Sequence, residues 1–523
     1  MMKPDITAAG ETSWVINLGD LEATECFASE IAPSLKSGDL VTLGGDLGSG
    51  KTSFARFLIR VLAASPELEV PSPTFTLMQL YDGVKFPIVH ADLYRVTQPS
   101  ELNELGWDEA SDDALLIVEW AERAGQFLAN DRLDITFMLE PEENEEHRVA
   151  VLTGTGTWAS RLAMMKHISD LLEHAGWSDA QRNFMQGDAS SRAYERLVMG
   201  DKSAILMISP QRADGPPVRH GKSYSNIANL AENVTAFIAI SNGLIDLGYT
   251  APAIIAQNLN AGLLLTEDLG NEFCFDENGP IFERYAEAIL VLAKLHNGAE
   301  LGLNLPDILP VIDKISYSIP HFDLDAYLVE AELLLDWYVP YEQRANLSGS
   351  PRGKFIEVWK SILQHVLKSE KTWVLRDYHS PNLLWLNEND GINRIGLIDF
   401  QDAVIGHPAY DVVSLLQDAR IDVSAETELK LLSLYVRARA TASQAFDVPA
   451  FVQAYSILGA QRATKILGIF ARLNERDGKP VYLKHIPRIE TYLRRCLSSP
   501  ELGALRGWYE QYLPNILVES AAK

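Results

Sequence analysis

The sequence predicts an α/β chain of two unlike domains, and three observations predict it. Gly45-Asp46-Leu47-Gly48-Ser49-Gly50-Lys51-Thr52 stands between a β-rich run and a helical run, the setting of a loop that cradles phosphate. Far downstream, Asp377 and Asn382 precede the apolar run Ile395-Gly396-Leu397-Ile398, which ends in Asp399-Phe400. Between these two motifs, alternating strand and helix patterns give way to a strand-rich portion and then a long helical one. At 523 residues the chain exceeds one ordinary hydrophobic core, which agrees with two or three domains.

Composition narrows the class. Apolar residues make up 47% and charged residues 22%, as in a globular protein rather than a disordered one. Lys and Arg total 45 against 71 for Asp and Glu, a net charge of −26. Such a surface repels phosphate backbones and anionic lipid, so tRNA contact is expected only indirectly, through a partner, and no membrane contact is expected. Cys26, Cys274 and Cys496 are too scattered for a metal site or a disulfide framework. Free thiols fit a reducing compartment. The amino terminus, Met-Met-Lys-Pro-Asp-Ile, lacks the apolar run of a signal peptide. Ala288 to Leu295, one of the longest apolar runs, is far short of the roughly 20 residues that span a bilayer. The expected location is cytoplasmic.

Taken in order, Asp39 to Leu43 is a β run ending at Gly44-Gly45, and Phe54 to Ala63 has helical spacing. Pro87 to His90 and Ala114 to Val118 are short apolar runs, each ending near an acid. Leu133 to Leu139 and Arg148 to Leu152 follow as late strands, joined by an acidic tip at Glu142, Glu143, Glu145 and Glu146. The alternation predicts a largely parallel sheet with phosphates at the strand carboxyl ends. A helix starts near Ser160 and stops at Gly176. The boundary is expected at about Arg161, giving a front domain over 1–161 and a rear domain over 162–523.

In the front loop, Gly45, Gly48 and Gly50 let backbone N–H groups converge on phosphate, with Ser49 between them and the helix N-terminus behind. Lys51 is expected at the β/γ-phosphates and Thr52 at Mg²⁺, with Ser53 completing the nucleotide-binding stretch. A second carboxylate is needed for the metal's water shell. Glu119, closing the apolar run Leu115-Leu116-Ile117-Val118, supplies one, and Asp92 after Ile88-Val89-His90-Ala91 is another candidate.

With the loop come three further motifs in order: Pro71-Ser72-Pro73-Thr74-Phe75-Thr76-Leu77, His90-Ala91-Asp92-Leu93-Tyr94-Arg95 and Glu119-Trp120-Ala121-Glu122-Arg123. Together they resemble the TsaE family, the ATPase subunit of the bacterial machinery that makes threonylcarbamoyladenosine in tRNA. The resemblance implies weak intrinsic ATP hydrolysis that becomes useful on docking to the transferase subunits (TsaD/TsaB-like). It places Thr74 in a switch-like loop, assigns Asp92 and Glu119 to the metal and the attacking water, and sets Trp120 near nucleotide or partner.

In the rear, Leu375-Arg376-Asp377-Tyr378-His379-Ser380-Pro381-Asn382 has the Asp-to-Asn spacing of a kinase catalytic loop. Asp377 is expected to take the proton of a substrate hydroxyl, and Asn382 and Asp399 to hold Mg²⁺. Upstream, Gly187-Asp188-Ala189-Ser190-Ser191-Arg192 precedes the strand Ala204 to Ile208 as a phosphate-covering loop, so Gly187, Ser190, Ser191 and Arg192 are expected at the nucleotide. Leu263 to Leu269 reads as strand and hinge, with Glu267 at the adenine. His296 reads as a buried structural histidine.

These residues resemble the aminoglycoside phosphotransferase superfamily, which has a bilobal protein-kinase-like fold, with lobes expected at about 162–269 and 270–523. Gly-Asp-Ala-Ser-Ser-Arg and Arg-Asp-Tyr-His-Ser-Pro-Asn are most similar to the AmgK-like branch, which phosphorylates the anomeric hydroxyl of N-acetylmuramic acid or N-acetylglucosamine in cell-wall recycling. Asp411 in Ala409-Tyr410-Asp411 matches an acid of this superfamily expected to brace the catalytic loop. Two departures stand out. No lysine occupies Ala204 to Ile208, leaving Lys202 and Arg192 as substitutes, and Leu375 stands where a histidine is usual, which is expected to loosen the loop's anchoring. The reading is a bifunctional enzyme using ATP and Mg²⁺ in both halves. Two alternatives stay open for the rear domain: a silent ligand-binding module, or a kinase for an amino alcohol or an aminoglycoside.

Overall fold

The computed structural model describes residues 11–104, 107, 113–140, 147–185, 192–211, 214–298 and 305–518. It divides into two compact units, 1–174 and 175–523.

In the front unit, β1 (Glu11–Leu18), α1 (Leu21–Ile31), β2 (Leu40–Gly44), α2 (Lys51–Leu62), β3 (Met78–Asp82), β4 (Pro87–Asp92), β5 (Leu115–Glu119), β6 (Arg132–Leu139) and β7 (Arg148–Thr155) build a seven-stranded sheet of order β1-β7-β6-β2-β5-β4-β3. Only the centre is parallel: β6, β2, β5 and β4 run together, whereas β1, β7 and β3 attach antiparallel. The departure from a largely parallel sheet follows from connection length. β3 and β4 are joined through Gly83–Phe86, too short for a crossover, so they must form a hairpin. Every residue of β5 is buried, as expected for a strand covered on both faces. On one face the rings of Phe27, Phe54 and Phe137 pack with centroids 5.2 and 5.4 Å apart.

The helix expected near Ser160 runs from Thr157 to Ala175. Asp131 caps its start, accepting from the N–H and hydroxyl of Thr157, and Gly176 ends it at φ +72°. Arg161, where the boundary was expected, lies inside this helix. Its guanidinium bonds both oxygens of Asp39 at 2.7 Å and covers the Trp158 ring. That side chain ties the helix to the front unit, which runs on to His174.

The rear unit opens with an all-antiparallel five-stranded sheet, in the order Ile254–Asn258, Leu263–Glu267, β10 (Lys202–Ile208), β9 (Ala193–Met199), β8 (Gln181–Met185). Helices dominate after it, among them Phe282–His296, Leu324–Leu333, Ser350–Leu367 and the 28-residue Val448–Glu475. One core joins the helices to two small antiparallel strand pairs, Thr372–Val374 with Val404–Gly406 and, nested between them in the chain, Leu383–Trp385 with Ile395–Leu397. The segments that join the outer pair to the inner one carry Asp377 and Asn382 on one side and Asp399 on the other. No described helix is long and apolar enough to cross a membrane.

Candidate active sites

The front site sits where β2 gives way to α2. Gly45 has φ +121°, and a Cβ there would lie 2.2 Å from the Phe137 carbonyl oxygen, so only glycine fits. Gly50, at φ +109°, is the N-cap of α2, and Gly48 is also left-handed, at φ +81°. Ser49 is buried, and its hydroxyl has no partner among the described residues. Ser53 lies half-buried in the first helical turn.

Lys51 is only 5% exposed. Its Nζ donates to the carbonyls of Gly45 (2.7 Å) and Asp46 (2.8 Å) and sits 4.1 Å from the Trp120 ring centroid. Burial pulls its pKa down, while Glu119, Glu122, Asp92 and Asp46 oppose that shift. Thr52 Oγ1 donates to Glu119 Oε2 at 2.8 Å, and Glu119 Oε1 meets His90 Nε2 at 3.0 Å. A hydroxyl and a carboxylate converging in this way are the hard oxygen donors a divalent magnesium ion takes. Asp92 and Glu119 are register partners on β4 and β5, yet their surroundings differ. Asp92 accepts from Thr74 Oγ1 (2.6 Å), Ser72 Oγ (2.8 Å) and the Tyr94 N–H (3.0 Å). It holds the Thr74 loop in place and makes no hydrogen bond to Thr52. Trp120 is left-handed at φ +57° and packs against Tyr94, centroids 5.2 Å apart. His90 and Ser72 belong to the site too. Both stand inside motifs singled out for their neighbours, and a histidine within the otherwise apolar run Ile88 to Ala91 of β4 was the signal for His90.

In the rear unit, Asp377, Asn382 and Asp399 line one small cleft with Tyr378, Leu383 and Phe400. Asn382 Nδ2 donates to the Asp377 carbonyl (2.9 Å) and to Asp399 Oδ2 (3.2 Å), and Gln401 Nε2 donates to Asp399 Oδ1 (2.8 Å). A carboxamide beside a carboxylate again fits a hard cation. Arg376 and Asp399 both adopt left-handed backbone, φ +72° and +57°, a conformation that costs a non-glycine residue about 1–3 kcal/mol and needs support from around it.

The support is extensive, and it overturns the expectation of a loosened loop. Asp411 accepts from the N–H groups of Leu375 (2.7 Å) and Arg376 (2.8 Å). Burial pushes its carboxyl up to about 7, with those donors opposing. Ser414 Oγ and Arg462 Nη1 donate to the Arg376 carbonyl. The Arg376 guanidinium is buried against Glu330, which also pairs with Lys465 at 2.7 Å. Leu375 serves as buried apolar packing, so a histidine's hydrogen bond is not needed there. Burial would raise the Asp377 carboxyl, but Lys465, His379, Arg462 and Arg376 together bring it below its ordinary value. Glu330, Lys465 and Arg462 had no local motif to announce them. Arg462 and Lys465, charges three apart among the apolar residues of the helix Val448–Glu475, were the available signal.

Of the two substitutes for a strand lysine, Lys202 opens β10 opposite Met199, exposed at the hairpin end. Arg192 Nη1 lies 3.8 Å from Asp399 Oδ1, so the structure brings Arg192 to the cleft. Gly187, Ser190 and Ser191 lie outside the described residues, as does the acidic tip at Glu142 to Glu146. Glu267 ends its strand exposed, and its N–H already bonds the Ala253 carbonyl at 2.9 Å, so that group is not open to adenine. His296 is buried, its Nδ1 2.8 Å from Tyr435 Oη, and burial drives its pKa well down. It is structural.

A P-loop nucleotide unit and a kinase-like phosphotransferase unit thus share one polypeptide. Comparison with known proteins gives the families. The model for the threonylcarbamoyl adenosine biosynthesis protein TsaE matches residues 18–149, and that of the phosphotransferase enzyme family matches 183–464. An N-acetylmuramate/N-acetylglucosamine kinase of Caulobacter vibrioides is 35% identical over 353 residues, covering 65% of this chain and 94% of that protein. Its counterpart in Pseudomonas aeruginosa is 29% identical, covering 65% and 91%. A tRNA threonylcarbamoyladenosine biosynthesis protein TsaE of Rickettsia conorii is 38% identical over 136 residues, covering 26% of this chain and 76% of that protein. The chain belongs to the TsaE family through its front unit and to the phosphotransferase enzyme family through its rear unit.

Proposed function

We propose that the chain is a bifunctional cytoplasmic enzyme. The front unit hydrolyses ATP in support of threonylcarbamoyladenosine formation in tRNA. The rear unit transfers phosphate from ATP to the anomeric hydroxyl of N-acetylmuramate or N-acetylglucosamine, as in cell-wall recycling. The observation that carries the rear reading is the Asp377–Asn382–Asp399 constellation, in a chain that spans nearly all of a relative named for those two sugars. In this reading Asp377 takes the hydroxyl proton, Asn382 and Asp399 hold Mg²⁺, and Arg192 meets the nucleotide phosphates. In front, Lys51, Thr52 and Glu119 hold ATP and Mg²⁺, and Asp92 orders the Thr74 loop beside them. Bound magnesium supplies charge neutralisation at the phosphates. The front unit joins TsaD/TsaB-like transferase subunits and meets tRNA only through them, since a chain of net charge −26 binds a polyanion poorly.

The test incubates the full chain with ATP, Mg²⁺ and each sugar, and detects the sugar phosphate by mass spectrometry. Sugar phosphate is expected. Its absence with both sugars, with or without turnover of choline or kanamycin, overturns the rear reading. Tight, salt-sensitive tRNA binding by the pure chain overturns the partner reading.

A further inference from the structure

The adjacent strands β4 and β5 turn one face toward α2. Side chains alternate along a strand: Ile88 and Ile117 pack into the core that holds Phe54 and Leu58 of α2, whereas Val89 and Val118 pack on the opposite side. His90, Asp92 and Glu119 therefore point to the α2 face, near the carboxyl ends of their strands. His90 is 0% exposed there. Its Nδ1 has no partner among the described residues, and a buried polar atom left unpaired is unfavourable. An apolar residue would fill the place at less cost, so packing alone does not account for the imidazole.

Its other nitrogen does. Nε2 lies 3.0 Å from Glu119 Oε1, while Glu119 Oε2 accepts from Thr52 Oγ1 at 2.8 Å. A carboxylate offers only acceptors, so the hydrogen of this contact sits on Nε2. A hydrogen on Nδ1 as well would be a buried donor with no acceptor among the described residues. Each oxygen of Glu119 is thus engaged by one donor, which fixes the rotation of the carboxylate. Thr52 has a single hydroxyl hydrogen. While that hydrogen is directed at Glu119, the hydroxyl's lone pairs face away from the carboxylate and are available to a cation. If the carboxylate turns, the hydroxyl is no longer held in this way.

We propose that His90 is a positioning residue of the front site, whose Nε2–H holds the Glu119 carboxylate so that the Thr52 hydroxyl presents its lone pairs to Mg²⁺. This assignment rests on the ATPase reading of the front unit. Removing a group that orients a metal ligand in this way changes metal affinity or activity by about 10- to 100-fold.

The test compares His90→Phe, which keeps the ring's bulk without the N–H, with His90→Gln, which returns an N–H near the position of Nε2. Phosphate release without sugar is followed against magnesium concentration in the full chain, with the Lys51→Ala rate as background. His90→Phe is expected to raise the Mg²⁺ concentration for half-saturation by about 10- to 100-fold. Its KM for ATP at saturating metal stays near wild type, and His90→Gln recovers most of the shift. A second measurement needs neither metal nor nucleotide. In nitrogen-15 spectra of the chain's 11 histidines, the signal lost in His90→Gln is expected to carry its hydrogen on Nε2, and that hydrogen's resonance to move in Glu119→Gln. A hydrogen on Nδ1 alone overturns the assignment even if His90→Phe fails to fold. So does an unchanged magnesium dependence in His90→Phe, or an equal defect in both variants, either of which leaves His90 as packing. A wild type that releases no phosphate above the Lys51→Ala background overturns the ATPase reading itself, and this assignment with it.

Discussion

The two sites face the same problem, holding triphosphate charge, and meet it with different materials. In the front unit the means are mostly backbone: glycines turned left-handed, a helix N-terminus, and acids at the ends of adjacent parallel strands. Lys51 is parked on two carbonyls of its own loop, and β2, α2, β4 and β5 with the Thr74 loop supply the rest of the site. In the rear unit the means are side chains in short segments between small strand pairs. Of their two left-handed residues, Arg376 is held by partners as distant in sequence as Glu330, Asp411 and Arg462, and Asp399 by Asn382 and Gln401. A backbone-built site tolerates change around it but not within its loop. A site built from side chains depends on residues that never touch the substrate.

The largest effect should come from breaking the front loop. Lys51→Ala is expected to reduce phosphate release without sugar to background while sugar phosphate formation continues, because no other residue of the loop Gly45–Thr52 is a cation. Normal release from this variant would place the hydrolysis in the rear unit.

Next in size is Asp377→Asn, which keeps the loop's shape while removing the base. Sugar phosphorylation is expected to fall by about 10²–10⁴-fold with ATP binding retained. Asp399→Asn should instead weaken Mg²⁺ binding, shifting the Mg²⁺ dependence to higher concentration, with partial rescue at high metal. Identical losses in the two variants would erase the division of labour between base and metal ligand.

A third test sharpens the contrast between near and distant support. Glu330→Gln leaves Arg376 and Lys465 buried without their counter-charge, a defect worth about 3–5 kcal/mol. The rear unit should melt earlier in calorimetry and lose sugar kinase activity, with phosphate release without sugar preserved. An unaltered rear transition would mean that the triad contributes nothing to holding the loop.

The smallest effect is a slope with pH. Burial lowers His379 to about 4, with Arg420 adding, and lowers His407 to about 3, with Arg439 adding. In the unfolded chain these imidazoles take protons near pH 6.5, whereas in the folded rear unit they resist. Their stabilising contribution is present above about pH 6.5 and is lost as pH falls toward 4. Asp411, raised to about 7, acts in the opposite sense and gains stability as pH falls through that window, so the rings are read by difference. Relative to wild type, His407→Gln should lose less Tm, or gain more, between pH 6.5 and 4. An identical pH slope in the variant would contradict the buried neutral state of His407.

Sequence legibility follows the same division. The front loop, Glu119 after its apolar strand, and the Asp377–Asn382–Asp399 spacing were readable because each is local, with chemistry and geometry fixed within a few residues. Asp92 was readable as a site acid but not as the anchor of Ser72 and Thr74, which lie 20 and 18 residues away in sequence. Edge strands β1 and β3 passed unnoticed because half-exposed strands lack the continuous apolar run that marked β5. The front unit runs on to His174, past Arg161, and only the folded chain reveals the pairing of Arg161 with Asp39. Glu330, 46 residues before Arg376, had no signal a single sequence could supply.

The buried triad of Glu330, Arg376 and Lys465 also bears on how this chain could change over generations. Losing one member strands a charge in the core, so single steps away from it pass through an unstable intermediate. The passable routes are coordinated ones, in which an uncharged replacement at Glu330 arrives with loss of charge at Lys465 and a smaller residue at Arg376. Descendants should therefore keep the three together or exchange them together, and a hybrid assembled from two such lineages should fail to fold even though each parent is sound.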